Sequence, residues 1–330
     1  MDILVAHQNV KMLEGRIATR IADPRIDRDL IEKLYVMQGR YLEHLPQPEL
    51  LARYAGLIQN LGFLLDAERD KPPAHCGFIS SWWWIERYIQ MRKEFDLRDM
   101  GDVPIPPDTG LIGEPLPPLI KPDSNRAFRF AQRAHLEEML SIGKVRIGPA
   151  SQYKEMGLGA AQSDDELHKP HFSHGSKVKI QTLDGKPIEA KGFVEYSKQG
   201  TDYYALCASR EYDRRLQRSF GANASIVIWD VAAFSARLSA AVAKVLPGWT
   251  YFDLPTEYYD PYRLEHKQHV TNQFSKNFSY AYQREYRFMW RSTKALDKPL
   301  EAFFVNAGDL TDIATLLDAH GIAVGGQPLP

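Results

Sequence analysis

Cysteine is almost missing from this chain. Its two copies, Cys76 and Cys207, stand far apart and neither belongs to a CxxC pair. That pattern excludes a disulfide framework and a cysteine-rich zinc site. Long apolar runs are missing too, with no stretch reaching the about 18 residues of a membrane-spanning helix. The opening segment MDILVAHQNVKMLEGR lacks the basic start and the apolar core of a secretory signal. The expected location is therefore the cytoplasm, with no membrane partner. No GxGxxG follows a strand pattern, no GxxxxGKS/T occurs, and the glycine-rich GLGAAQ at 157–162 fits neither template. GxSxG and HExxH are likewise absent. A net charge of −1 excludes a globally basic nucleic-acid binder.

What is present is an ordinary globular composition, 44% hydrophobic and 25% charged over 330 residues, enough for two domains. Asp23-Pro24, followed by Leu30, Leu34, Met37, Tyr41 and Leu45, predicts a helix over 23–45. A second starts near Pro48 with Leu50, Tyr54, Leu57 and Leu61. A third follows Ser80–Ser81 as WWWIERYIQMRKEF. Neighbours on a helix are about 100° apart, so Trp82, Trp83 and Trp84 cannot all face one core, and at least one meets another domain or a partner. Seven prolines in VPIPPDTGLIGEPLPPLIKP make 103–122 an extended connector. The expected organisation is a helical accessory domain at 1–102, this connector, and an α+β domain at 123–330. In the last, AFRFA, KVRIG, YYALCAS, ASIVIWD, WTYFDLPTEYYD, YAYQREYRFMWR and AFFVNA read as strands. RAHLEEMLSIG, ending at Gly143, VAAFSARLSAAVAKVL and LTDIATLLDAHG read as helices. Two more strands flank the Asp184-Gly185 turn. Strands and helices do not alternate regularly, which disfavours a doubly wound parallel fold.

Three constellations bear on chemistry. His168, His171 and His174, with His266 and His269 later, have spacings compatible with metal ligation, but Pro170 and Gly175 favour a polar surface loop. Asp184 followed by Glu189 and Lys191 is the arrangement of a metal-dependent nuclease, or of a charged hairpin. Around Glu285, a strand over YAYQREYRF would put Tyr282, Arg284, Tyr286 and Phe288 on one face and Gln283, Glu285 and Arg287 on the other. That places a carboxylate in a cleft beside a cation that keeps it ionised, or makes a strand-edge salt bridge in a non-catalytic scaffold. From Lys169 to Arg218, ten Lys/Arg stand against six Asp/Glu, an excess that suits phosphate contact or a solvated face.

The ordered segments RAFRFAQRAHLEEMLSIGKVRIGPASQYKE, SDDE, YYALCAS, FGANASIVIWDVAAF and FSKNFSYAYQREYRF resemble, over about 125–292, the ADP-ribosyltransferase superfamily, in particular its bacterial toxin and antiphage branches. The resemblance implies a split, mostly antiparallel sheet and an enzyme that consumes NAD without a metal. Arg129 would contact the NAD phosphates or ribose, with Ser209 and Tyr153 also on the NAD side. Glu285 would be the catalytic carboxylate, with Asp165, Glu166, Tyr282 and Arg287 lining the same site. Members that modify protein arginine carry a second acid where this chain has Gln283, so a nucleobase or another acceptor fits better than arginine. The resemblance further implies a nucleic acid or protein as acceptor, and a neutralising partner on the helical domain.

Overall fold

The computed structural model describes residues 3–64, 79, 82–106, 125–155, 164–190, 192–263, 270–271 and 273–325. Most of the proline-rich connector, Ser80–Ser81, GLGAAQ, Lys191, His266 and His269 lie outside the described residues. Among the described residues four helices come first: α1 (Ile3–Ile21), α2 (Arg28–Met37), α3 (Gln47–Leu64) and α4 (Trp83–Leu97). The helix expected over 23–45 is shorter at both ends. Asp23 is held by Arg25 in the turn after α1, and Asp27 caps α2, its side chain accepting from the Leu30 amide at 2.9 Å. Gly39 and Arg40 take positive φ, 84° and 37°, and stop the helical ladder. Leu30, Leu34 and Met37 are exposed, and Tyr35 is the residue that α2 buries.

Helix α3 follows its sequence pattern, burying Leu50, Tyr54, Leu57 and Leu61. The tryptophan triplet divides as helical geometry demands. Trp83 and Trp84 are buried edge to face, and both rings reach Phe278 from the carboxy-terminal part. Trp82 stays exposed beneath the guanidinium groups of Arg20 and Arg25. The helical core also takes in Tyr258 and Ala281 from beyond the connector.

The remainder runs β1 (Ala127–Ala131), α5 (Arg133–Ile142), β2 (Lys144–Pro149), a single turn α6 (Gln152–Glu155), β3 (His168–His174), β4 (Ile180–Gln181), β5 (Pro187–Ile188), β6 (Phe193–Gln199), β7 (Tyr204–Ser209), α7 (Arg214–Ser219), β8 (Ala224–Ile228) and α8 (Val231–Ala243). It continues with β9 (Thr250–Pro255), β10 (Glu257–Tyr259), β11 (Ser275–Asn277), a 3-10 helix (Phe278–Gln283), β12 (Glu285–Arg291), β13 (Phe303–Asn306) and β14 (Ala314–Leu317). The fold is mixed α and β, with an antiparallel main sheet. Among the described residues no helix is long and apolar enough to cross a membrane.

Strand β7 is the axis of that sheet. One edge pairs with β12 along its length, from Glu285 opposite Ser209 to Trp290 opposite Tyr204, and β12 passes the sheet on to β9. The other edge is shared. Strand β2 takes its start, at Tyr204 and Ala205, and β1 takes its end, at Ser209. Strand β13 continues the first arm, and β8 and β14 continue the second. The sheet therefore forks at the middle of β7. Helices α5 and α8 cover one face, where Tyr204, Leu206, Phe288 and Trp290 join the second core. Alternation leaves Cys207, Ser209, Glu285 and Arg287 on the opposite face.

Three expected elements differ. HKPHFSHG is a strand, β3, paired over seven positions with β6. Pro170 is tolerated because the Phe172 amide, two residues on, points away from β6 to Pro261 O at 2.8 Å. The missing N–H of Pro170 faces the same outer side and costs no ladder bond. LTDIATLLDAHG contains a strand, β14, instead of a helix. Asp309 accepts from both the amide and the hydroxyl of Thr311, and the turn so formed launches the chain along β8. The strand expected from Tyr280 begins only at Glu285. Asn277 caps the 3-10 turn, and Arg284 turns the chain through φ 46°, with its side chain on Glu211. Gly143, the expected helix terminator, is confirmed, with φ 66°. A Cβ there would stand 2.2 Å from Gly308 O, so only glycine fits.

Candidate active site

A cleft of about 230 Å³ lies where the sheet forks. Arg129 of β1, Tyr153 of α6, Ser209 of β7 and Glu285 of β12 all line it, as do Glu166 and Lys276. Phe128, Phe130 and Phe220 supply aromatic wall. The sequence-derived residues thus come from five separated segments into one place. Three do not line it: Asp165 turns to Lys154 (2.7 Å) and His168 (2.9 Å), Tyr282 packs on Phe63, and Arg287 lies behind the wall.

Glu285 opens β12, and both its oxygens are held. Oε1 accepts from Arg287 Nε at 2.6 Å and Oε2 from Lys276 Nζ at 3.0 Å. Arg287, 1% exposed, sits behind the cleft and also donates to Glu166 at 2.7 Å. Lys276 reaches Glu166 at 3.3 Å and Gln283 at 3.2 Å, and Lys169 reaches Glu166 at 3.2 Å. Three carboxylates, Asp164, Glu166 and Glu285, meet three cations, Lys169, Lys276 and Arg287, so the cluster is neutral when all are ionised. Burial alone would raise the Glu285 carboxyl, but Arg287 and Lys276 outweigh it and hold it down at about 2. Burial likewise opposes the charged form of Lys276. Glu285, Glu166 and Asp164 overcome it and keep the ammonium well above its ordinary value.

Asp164 behaves differently. Its Oδ2 has no hydrogen-bond partner among the described residues and lies 3.9 Å from Lys276. Burial, then the charge of Glu166, raises its carboxyl from 3.8 to about 6. The folded protein therefore binds this proton more tightly than the unfolded chain does. The resulting stabilisation is complete below pH 3.8 and is lost as pH rises through 6. Glu285 has the opposite sign: its contribution is complete above pH 4.5 and is lost as pH falls through 2. Asp164→Asn should accordingly raise stability at pH 7 to 8 by about 2–3 kcal/mol and flatten the profile between pH 4 and 6. Urea titrations of both proteins across that range check it. Parallel curves would exclude Asp164 as the titrating group.

Opposite Glu285 the charge is of the other sign. Arg129 donates Nη1 to Cys207 O at 2.9 Å, filling the gap that the fork leaves on β7. Neither Arg129 nor Arg146 makes an ion pair among the described residues, although Arg146 holds Gln152 at 2.9 Å. Burial, with the charge of Arg146 acting in the same direction, pulls Arg129 below the usual guanidinium value. An adjoining cavity of about 720 Å³, between β1, α5 and β2, shares both arginines. Ser209 is spent on the backbone, with Oγ 2.8 Å from Gln283 O and 2.9 Å from Glu211 O. Tyr153 OH lies 3.8 Å from Cys207 Sγ. The Cys207 thiol is pushed up by burial and by Glu285, so it is a poor nucleophile.

Lys276, Asp164, Lys169 and Tyr203, which Arg287 reaches at 3.2 Å, belong to this site without having been singled out in the sequence. Lys276 stands nine residues before Glu285 in FSKNFSYAYQRE, and only the intervening 3-10 turn brings them together. The excess of positive charge between 169 and 218 is partly internal, since Lys169 and Arg215 are buried on Glu166 and Asp213. Asp184 and Glu189 lie on the exposed β4–β5 hairpin, away from the cleft. His171 is buried against Tyr196 and Tyr259, and no group of three or more metal-ligating side chains occurs among the described residues. Comparison with protein-family models, curated proteins and solved structures returns no match.

Proposed function

We propose that the protein is an NAD-consuming ADP-ribosyltransferase acting on a nucleic acid or protein, as bacterial toxins and antiphage effectors do. One observation carries the reading. At the fork of the sheet, a carboxylate held ionised and a pair of arginines that have no carboxylate partner among the described residues line the same aromatic cleft. Cleavage of the nicotinamide–ribose bond sends the bonding pair to the departing ring and leaves positive charge on the ribose carbon. A fixed anion there stabilises that charge without having to reorganise. Glu285 supplies it, and Arg287 and Lys276 fix its orientation. Arg129 and Arg146 suit the diphosphate, and Phe128, Phe130 and Tyr153 suit the nicotinamide. The cleft holds the nicotinamide-ribose half, and the rest extends past the two arginines into the adjoining cavity. The acceptor then attacks the ribose carbon and gives up its proton to solvent, while nicotinamide leaves as the neutral molecule.

The test is nicotinamide release and transfer of labelled ADP-ribose in a lysate containing protein and RNA, in EDTA. Turnover that survives the chelator is expected, and nuclease or protease treatment of the labelled product names the acceptor. Absence of turnover with and without metal would leave the cluster as a structural ion-pair network. Activity that appears only with Mg²⁺ or Mn²⁺, as nucleic-acid cleavage, would shift attention to Asp184, Glu189 and Lys191.

A further inference from the structure

A second cavity, of about 450 Å³, lies between the helical part and strand β3. Four cations line it, Arg40, Arg87, Lys177 and Arg263, against one carboxylate, Glu43. Behind the wall, two buried carboxylates are shared among four arginines. Glu94 takes Arg40 at 3.0 Å and Arg98 at 2.6 Å. Asp260 takes Arg53 at 2.8 Å and has Arg87 at 3.9 Å. Surface Glu43 and Glu86 each stand beside one of these arginines, at 3.4 and 3.1 Å. The four arginines are therefore fixed from behind and matched in number by these four carboxylates, so the excess positive charge comes from Arg263 and from Lys177, which at the rim makes no ion pair among the described residues.

The same cavity is lined with rings. Phe172 and Tyr262 stack at 5.0 Å with 20° between planes, and Tyr41 stands under Arg87 at 5.3 Å. At the rim, His44 from the helical part and His174 from β3 stack at 4.2 Å and 24°. A phosphate needs fixed cations, and a base needs a flat ring to lie on. Both occur here in a volume suited to a small ligand.

We propose that this cavity binds a nucleotide, free or as part of a single-stranded nucleic acid, with its phosphate toward Arg40, Arg87 and Lys177 and its base on the rim rings. The site is separate from the cleft at Glu285 and does not depend on the reaction proposed there. Anisotropy of a short labelled single-stranded RNA tests it, using the Glu285→Gln protein as host so that NAD chemistry plays no part. AMP, inorganic phosphate and a phosphoserine peptide serve as competitors. Binding that weakens with added salt is expected, with Lys177→Glu and His44→Ala each costing about tenfold in affinity. Both substituted residues are exposed, so the fold is not at stake. Competition by AMP identifies a free-nucleotide site, and competition by RNA alone identifies a polynucleotide site. Phosphate or the phosphopeptide competing as well as AMP would overturn the proposal, as would equal affinity in the host and both variants, or no binding at all.

Discussion

Glu285→Gln is expected to lower NAD turnover by about 10²–10³-fold while leaving KM for NAD within a fewfold of wild type. The size follows from the proposed role, because a carboxylate beside the ribose carbon acts on charge that exists only in the transition state. The amide keeps the shape and can still accept from Arg287 or Lys276, but it carries no charge. The ground state has little positive charge at that carbon, so binding should change little. Arg129 gives the contrast. If its guanidinium holds phosphate, Arg129→Ala should act mainly through KM, since the diphosphate carries the same charge before and during bond cleavage. Because Arg287 and Lys276 favour the ionised form of Glu285 in the fold, removing its charge also costs stability. The kinetic comparison therefore has to be made where urea titration shows both proteins folded. A kcat within tenfold of wild type would remove Glu285 from the chemistry.

Part of this arrangement was legible in the sequence, and the division follows physical lines. Local signals held where they were self-sufficient: the α3 stripe, the glycine ending α5, and the split of the tryptophan triplet. Tertiary pairing overrode them elsewhere. Ile313, Ala314, Leu316 and Leu317 have helical spacing, yet the open edge of β8 claims Ala314–Leu317 as a strand. His168 to His174 looks like a loop because Pro170 breaks the pattern, but its partner β6 pairs on the side that Pro170 does not affect. The cleft shows the same limit. Glu285 stood out because a carboxylate between two arginines is unusual among aromatics. Lys276 did not, because a lone lysine announces nothing until a 3-10 turn and a left-handed Arg284 bring it 3.0 Å from that carboxylate.

The other large effect lies far from the cleft, where α3 meets the chain just after β10. Arg53 and Asp260, 3% and 0% exposed, form a two-pronged pair at 2.8 and 2.9 Å. Burial opposes both charges, yet Asp260 is held below the ordinary carboxylate range by Arg53 and then Arg87. Removing one partner strands the other in a buried site, a loss of about 3–5 kcal/mol. The two single substitutions should differ. Arg53→Met leaves Asp260 with Arg87 at 3.9 Å as a fallback, whereas Asp260→Asn leaves two arginines facing each other with no carboxylate between them. Asp260→Asn is therefore the costlier change, and the double variant Arg53→Met/Asp260→Asn should cost less than the sum of the two. Denaturant titrations of the four proteins measure this. They also bear on whether residues 1–102 are a domain in their own right. Because the helical core includes Tyr258, Phe278 and Ala281, breaking the pair should lower one shared transition. Two separated transitions would mean that the helices fold alone and that the pair only docks them.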